Sequence, residues 1–255
     1  MGSIASDVVA YFSDGSNWTG SDGIVVRVVE HLQYSAVPLL IALLLAVPIG
    51  AAIGHTGRGG FVVVGFANGM RSLPELGVLT ILVTLTGVGL LPVTIALLIL
   101  AVPPLLAGTY AGVSNVDRSV VDAARGMGMT EREILTRVEL PNALPLIMGG
   151  LRIAALQVIA TAAIAAFVGV DGLGRILFSG LAVRDFTRMA AGALLIAALA
   201  LLVDSLLAIL QRLIVSPGLR RAPSTGRRAN RPPPEPTALS PSRVTADSDK
   251  VLLRS

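Results

Sequence analysis

Residues 117–141, with the sequence DRSVVDAARGMGMTEREILTRVELP, decide the fold because they are a long polar stretch between two apolar ones. Asp117 or Ser119 is able to cap the first helix, and Gly126 and Gly128 are residues of the kind that end helices. Thr130 and Glu133 have the spacing of a capping box, which begins a second helix. The stretch therefore predicts two short helices joined by a glycine turn, ahead of a long apolar helix.

The rest of the chain is rich in apolar stretches. Of its 255 residues, 53% are hydrophobic and 14% are charged, whereas a soluble domain has about 25% charged residues. A helix that crosses the roughly 30 Å hydrocarbon core of a bilayer needs about 20 apolar residues. Five stretches meet this requirement. They run from 35 to 54, from 60 to a turn at 87–92, from that turn to about 111, from 143 to 168 and from 189 to 215. The sequence therefore predicts an all-α integral membrane protein with about five transmembrane helices.

The distribution of arginine predicts which side of the membrane each loop faces. The segment 117–139 carries four arginines, and the segment 216–255 carries eight basic residues against three acidic ones. Basic segments next to membrane spans stay on the cytoplasmic side. An odd number of spans then places residues 1–34 and the loop 169–188 outside, although that loop also contains three arginines.

The segment 216–255 is predicted to be a disordered, basic cytoplasmic tail. It contains seven prolines, including the run RPPPEP at 231–236, and such a composition does not bury enough apolar surface to fold. The other 215 residues hold twelve basic and thirteen acidic residues, so the net charge of +4 arises from this tail. We expect the tail to lie near anionic lipid, and we do not expect it to bind nucleic acid.

The residue types and motifs that the chain lacks exclude several classes of enzyme. The chain has no cysteine, two histidines and one lysine, Lys250. A phosphate-binding loop of the form G-x-x-x-x-G-K-[ST] is therefore absent, and this chain does not hydrolyse ATP by that route. The motifs H-E-x-x-H and G-x-S-x-G are also absent. We expect no catalytic residue, no metal site and no cofactor, and the isolated His31 and His55 are given no chemical role.

The polar segment resembles the cytoplasmic signature of the permease subunits of binding-protein-dependent ABC importers. That signature is EAA, three residues, Gly, nine residues and I-x-L-P; Asp122-Ala123-Ala124, Gly128 and Val138-x-Leu140-Pro141 have the same spacing. The resemblance implies the type I ABC importer permease fold, with residues 35–215 as its transmembrane domain and this segment as a coupling helix docked on a separate ATPase. The implied coupling residues are Asp122, Ala123, Ala124, Gly126, Gly128, Val138, Leu140 and Pro141.

The same resemblance implies further partners and a location. An extracytoplasmic substrate-binding protein delivers the substrate, and a second permease subunit, identical or paralogous, completes the pathway. The location is the inner (plasma) membrane of a bacterium, in contact with membrane lipid.

Three further motifs, 109–113, 125–130 and 138–141, are similar to the osmoprotectant branch of the family, which imports glycine betaine, carnitine, choline or proline betaine. The segment 68–74 is also similar to the methionine importer permease, so an importer of methionine or another amino acid is an alternative. A self-sufficient secondary transporter or channel is the alternative from another class. With one Trp, three Tyr and six Phe, the chain shows no aromatic cage for a quaternary ammonium, so we expect the binding protein to select the substrate.

Five charged residues lie inside the predicted spans, Arg212 near the end of the last span and four deeper, where an ionised group costs about 2.5–3.5 kcal/mol to insert. Arg71 and Glu75 are one helical turn apart and are able to pair. Their position predicts either a lining of the translocation path or a structural ion pair. Arg152 and Asp204, on neighbouring spans, are predicted to form a structural ion pair.

Two segments are candidates for the translocation path or its gate. The first is 68–75, which surrounds a proline inside an apolar stretch. The second is the glycine-rich turn 169–174, a candidate outer gate at which the binding protein docks, with a tight surface turn as the alternative. The candidate residues are Asn68, Arg71, Ser72, Pro74, Glu75, Gly169, Gly172 and Gly174.

Overall fold

The computed structural model describes residues 4–215, and this part of the chain consists of helices and their connections, with no strand. The predicted tail, 216–255, lies outside the described residues. The helices are α1 (Ile4–Ser13), α2 (Ile24–Thr56), α3 (Gly60–Arg71), α4 (Glu75–Thr86), α5 (Leu90–Ser114), α6 (Arg118–Gly126), α7 (Glu131–Glu133), α8 (Leu140–Ala162), α9 (Leu173–Val183) and α10 (Phe186–Ile214). A π-helical turn (Ile134–Glu139) joins α7 to α8, and a 3-10 turn (Ala163–Val168) follows α8.

Four of the five predicted spans correspond to continuous helical runs that are long and apolar enough to cross a membrane. They are Ile24–Thr56, Leu90–Ser114, the continuous run Glu131–Val168 and Phe186–Ile214. The helical, membrane-spanning fold class is confirmed.

The predicted second span is divided into two helices, α3 and α4, of 12 residues each. Pro74 permits the division, because it has no N–H to donate and disfavours helical geometry at the residue before it, Leu73. A helix of 12 residues is about 18 Å long, which is shorter than the hydrocarbon core. The expectation of one continuous span here is therefore wrong, and the chain has a helix break at 72–74.

The first span begins earlier than its apolar run. Helix α2 starts at Ile24, eleven positions before the predicted start of the span, and includes charged residues that the hydropathy pattern leaves out. Arg27, the first of these, is buried and forms ion pairs with Asp22, Glu30 and Asp171. Because its charge is compensated by neighbours, the helix extends through a segment that hydropathy alone assigns to a loop.

The core is formed by α2, α5 and α8, which approach one another closely at small residues. A Cβ placed on Gly150 of α8 would lie 2.6 Å from the Pro104 carbonyl oxygen of α5, and one on Gly50 of α2 would lie 3.0 Å from the Leu106 oxygen. Small residues at such crossings are typical of membrane helices, whose association depends on close packing. Helices α9 and α10 pack on this core from the side of α8.

Candidate functional site: the coupling segment and a cleft at a helix break

The segment 117–139 folds as a small unit with its own apolar centre. Asp117 caps α6 by accepting a hydrogen bond from the Ser119 N–H at 2.9 Å, and this bond lowers the pKa of the Asp117 carboxyl. Gly128 has a φ of +83°, a left-handed geometry that glycine adopts without a steric penalty. Val121, Ala124 and Ile134 form the buried centre of the unit. The two short helices expected from the sequence are therefore held against each other.

The coupling residues predicted from the sequence divide between the surface and this apolar centre. Ala124 is 2% exposed, whereas Asp122 and Ala123 are exposed. Val120 is 45% and Met127 is 76% exposed; together with Ala123 they have the i, i+3, i+7 spacing of one helix face. Helix α6 thus presents an uncovered apolar face to its surroundings.

The other predicted coupling residues connect this unit to the membrane helices. Val138 packs against the apolar centre of the segment, and Leu140 packs against a cluster that includes Ala51 of α2. Gly126, Gly128 and Pro141 are exposed.

A network of charged side chains joins α6 to α2 and α8. Arg125 donates to Glu131 through Nε and Nη2, at 2.7 and 3.0 Å. Glu131 Oε2 lies 3.2 Å from His55 Nε2, and His55 Nδ1 lies 2.5 Å from Glu139 Oε2. A neutral imidazole has one N–H, so donation to both carboxylates at once requires the doubly protonated ring. The treatment of His55 as isolated is therefore wrong, because tertiary structure brings it between two carboxylates.

The π-helical turn before α8 is part of the same arrangement. The Leu140 N–H donates to the Leu135 carbonyl, five residues earlier, and Pro141 has no N–H for the usual bond. Glu139, at the end of this turn, is 2% exposed. π-turns within helices occur frequently at functional sites. Here the turn accompanies a carboxylate that is buried beside the end of α2.

The break between α3 and α4 opens onto a cleft in the membrane region. The cleft has a volume of about 30 Å³ and lies among α4, α5 and the end of α8. Glu75, the first residue of α4, lines it and accepts a hydrogen bond from Thr161 Oγ1 at 3.1 Å.

The structural ion pair between Arg71 and Glu75, one of the two alternatives, does not form among the described residues. No ion pair joins the two side chains within residues 4–215, because α3 ends at Arg71 and the two residues do not share a helix. The residues around the break, Asn68, Ser72 and Pro74, are exposed.

The turn 169–174 is tied to α2. Glu30 Oε2 accepts a hydrogen bond from the Gly172 N–H at 3.0 Å, and Arg27 Nη1 lies 2.6 Å from Asp171 Oδ1. Gly169 and Gly172 have φ values of +82° and +99°. The prediction from the sequence considers this turn alone. It does not include the two contacts with α2, whose residues lie about 140 positions earlier.

Two further contacts cross the helix layers. Arg152 Nε and Nη2 each lie 2.8 Å from a carboxylate oxygen of Asp204, so the pair is bidentate between α8 and α10. His31, buried in α2, has its Nε2 2.9 Å from the Ile159 carbonyl oxygen of α8. The expectation that His31 is isolated is also wrong, because it bridges two core helices.

Residues 35–216 match the family described as binding-protein-dependent transport system inner membrane component. The match includes the coupling segment, the helix break and the turn 169–174. The chain belongs to this permease family.

Relatives of this permease are found in several bacteria. It is 34% identical to the glycine betaine/carnitine/choline transport system permease protein OpuCB of Bacillus subtilis, over 79% of this chain and 93% of that protein. It is 32% identical to the carnitine transport permease protein OpuCB of Listeria monocytogenes, over 86% and 98% of the two chains. The osmoprotectant import permease protein OsmY of Salmonella typhimurium is 36% identical over 70% and 77%.

Solved structures show the same fold. The MetNI methionine ABC transporter in an inward-facing conformation matches the permease with a TM-score of 0.68 and 22% identity, over 76% of this chain and 96% of that one. An amino acid ABC transporter crystallised with histidines matches with a TM-score of 0.56 and 19% identity, over 87% and 99%. At these identities the likeness establishes the fold, and the family match together with the long apolar helices places the chain in the inner membrane.

Proposed function

We propose that this permease forms the translocation pathway for glycine betaine, choline, carnitine or proline betaine. The observation that carries the proposal is the similarity, at 32–36% identity over most of the chain, to permeases named for the transport of these compounds or of osmoprotectants. The methionine transporter matches in fold at 22% identity. That lower similarity makes methionine the less favoured substrate.

The exposed face of α6 is the proposed docking site for a separate ATPase. Val120 and Ala123 of α6, with Met127 directly after it, form an exposed apolar stripe beside the charged Asp122 and Arg125. A groove on the partner covers this stripe, while Ala124 keeps the helix anchored to the permease from its other side. Hydrolysis of ATP takes place on the partner chain.

Movement of α6 is proposed to reach the membrane helices through His55. Arg125 connects α6 to Glu131, and His55 connects Glu131 to the buried Glu139. Because His55 is in the last turn of α2 and Glu139 precedes α8, closure of the ATPase would displace both core helices together.

The segment 68–75 is proposed to line the pathway. Charged groups inside a bilayer face protein or water, and Arg71 and Glu75 are both exposed in the single chain. A second permease subunit, identical or paralogous, is therefore proposed to pack across the pathway from this segment.

The outer end of the pathway is proposed to lie near the turn 169–174, where a substrate-binding protein docks. The N-terminus then lies outside. The arginines of 117–139 and the basic segment 216–255 lie in the cytoplasm, in keeping with the positive-inside rule. The Arg152–Asp204 pair is assigned a structural role, since it joins α8 to α10.

The test is uptake of labelled glycine betaine, choline, carnitine and methionine by cells with and without this gene, at low and raised osmolarity. We expect loss of the gene to remove uptake of at least one quaternary ammonium compound and to leave methionine uptake unchanged. Loss of methionine uptake alone would support the amino-acid alternative. Uptake that persists without the partner ATPase would support a self-sufficient transporter.

A further inference from the structure

The cleft beside the helix break has a chemical character that neither ATPase coupling nor binding-protein docking requires. Its walls include Leu79, Val93 and Leu97, which are buried apolar residues of α4 and α5. Among the described residues that line it, the ionisable group is the Glu75 carboxylate and the hydroxyl is that of Thr161. Its lining is mostly apolar with a few polar groups, which is typical of small-molecule sites.

The Glu75 carboxylate has one hydrogen-bond partner among the described residues. Thr161 Oγ1 donates to its Oε2, but within residues 4–215 no arginine or histidine forms an ion pair with it. Arg71 lies at the end of α3, on the other side of the break. The second carboxylate oxygen of Glu75 has no donor among the described residues. An uncompensated negative charge therefore lies at the edge of an apolar cleft in the membrane region.

The kind of cation that fits this cleft follows from its few acceptors. A primary ammonium has three N–H donors, and a cleft with one carboxylate leaves donors unpaired at a cost in free energy. A trimethylammonium group has no N–H donor and presents methyl groups, which are compatible with apolar walls. It needs a nearby negative charge and no further hydrogen-bond partner.

We propose that this cleft is a transit site for the trimethylammonium group of the substrate, with Glu75 as its counter-charge and the apolar side chains of α4, α5 and the 3-10 turn after α8 as its walls. The proposal rests on the proposed function, since it assumes that quaternary ammonium compounds pass through this permease. It adds a substrate contact within the permease, in addition to the selection made by the binding protein.

The modest strength of such a site suits a pathway. The cleft lining includes no aromatic ring among the described residues, so the strong cation–π attraction of an aromatic cage is missing. A site along a pathway must bind well enough to admit its substrate and weakly enough to release it. One carboxylate in an otherwise apolar cleft meets both conditions.

The test is the initial rate of uptake of labelled choline and labelled glycine betaine in cells whose native gene is replaced by Glu75→Gln. The binding protein sets the apparent KM, so we expect KM to stay unchanged and the maximal rate to fall. For choline the expected fall is about tenfold, the effect of losing a charge interaction of moderate strength. Glycine betaine carries its own carboxylate, which Glu75 repels, so its rate is expected to fall less. Glu75→Asp keeps the charge and is expected to restore most of the choline rate.

Two matched controls separate this role from a structural one. Asp7→Asn removes one negative charge from α1, far in sequence from the cleft, and is expected to leave both rates unchanged. Thr161→Val removes the hydroxyl that holds the Glu75 carboxylate in place, and it is therefore expected to lower the choline rate. Thr80→Val is its control, because the Thr80 hydroxyl donates within its own helix to Leu76 O at 2.7 Å.

The outcomes are distinguishable when membrane levels of each variant and its association with the ATPase are measured alongside uptake. A wild-type protein that transports neither compound would overturn the proposed function itself. Wild-type transport with an unchanged maximal rate in Glu75→Gln would overturn the transit site alone. Equal losses for both substrates, accompanied by lower membrane levels, would assign Glu75 a structural role and would also overturn it.

Discussion

His55 Nδ1 lies 2.5 Å from Glu139 Oε2, a contact that joins the last turn of α2 to the start of α8 across 84 positions of sequence. The other ring nitrogen of His55 reaches Glu131, which holds Arg125 of the coupling helix. One side chain therefore connects three helices at the end of the bundle that carries the coupling segment. This arrangement links α6, through Arg125, Glu131 and His55, to α2 and to the turn before α8.

We expect His55→Leu to uncouple transport from ATP hydrolysis. The change removes the link between Glu131 and Glu139, and coupling terms of about 0.5–2 kcal/mol correspond to a loss of about 2- to 30-fold in uptake. The variant should still copurify with the ATPase, because the exposed face of α6 is unchanged. Uptake, copurification and ATPase activity in membranes are the measurements.

The double variant His55→Leu with Glu139→Leu is the control for stability. His55→Leu alone leaves the buried Glu139 without a partner, at a cost of about 1–3 kcal/mol in folding free energy. Replacing both polar partners removes that cost, so the melting temperature in detergent should recover while uptake stays low. Recovery of uptake together with stability would show that the network has a structural role only.

We expect Met127→Asp to prevent association with the ATPase. Met127 is exposed on the apolar face of α6, and a carboxylate there would have to be desolvated when the partner's groove closes over it. Copurification should be lost while the membrane level of the permease stays normal. Val9→Asp makes the same change at an exposed apolar residue of α1 and should leave association intact. Normal copurification of Met127→Asp would exclude this face as the docking site.

A charge exchange tests the structural role of the Arg152–Asp204 pair. Arg152→Asp or Asp204→Arg alone places two like charges opposite each other in the membrane region, so the amount of protein in the membrane should fall severalfold. The exchange of both residues restores opposite charges and should recover a large part of that amount. Quantitative immunoblotting of membranes is the measurement, and no recovery in the double variant would remove the pair from the structural account.

Replacement of two adjacent glycines of α8 by alanine should have different effects on the stability of the protein. A Cβ on Gly150 would lie 2.6 Å from the Pro104 carbonyl oxygen, whereas a Cβ on Gly149 would meet no atom within 4 Å. Gly150→Ala forces α5 and α8 apart and should destabilise the protein by about 1–3 kcal/mol. Gly149→Ala should be neutral or stabilising, since alanine is the better helix former. Thermal unfolding in detergent compares the two; equal melting temperatures would contradict the close crossing.

The sequence alone determines the features of this permease that depend on neighbouring residues. Hydropathy runs of about 20 residues specify the long spans, and the spacing from Asp122 to Pro141 predicts the coupling segment, because both are patterns along a continuous chain. Caps are also local, and the capping box between Thr130 and Glu133 forms as expected.

Tertiary structure alone decides which distant residues meet. His55 has two carboxylate partners, Asp171 compensates Arg27, and Glu75 has a hydroxyl partner from α8 instead of the arginine four residues before it. Such contacts depend on how whole helices pack, and no periodic pattern records them. The division of the second span has the same origin, since Pro74 permits either a kink or a complete break. Only the packing of the two halves against α5 settles which one forms.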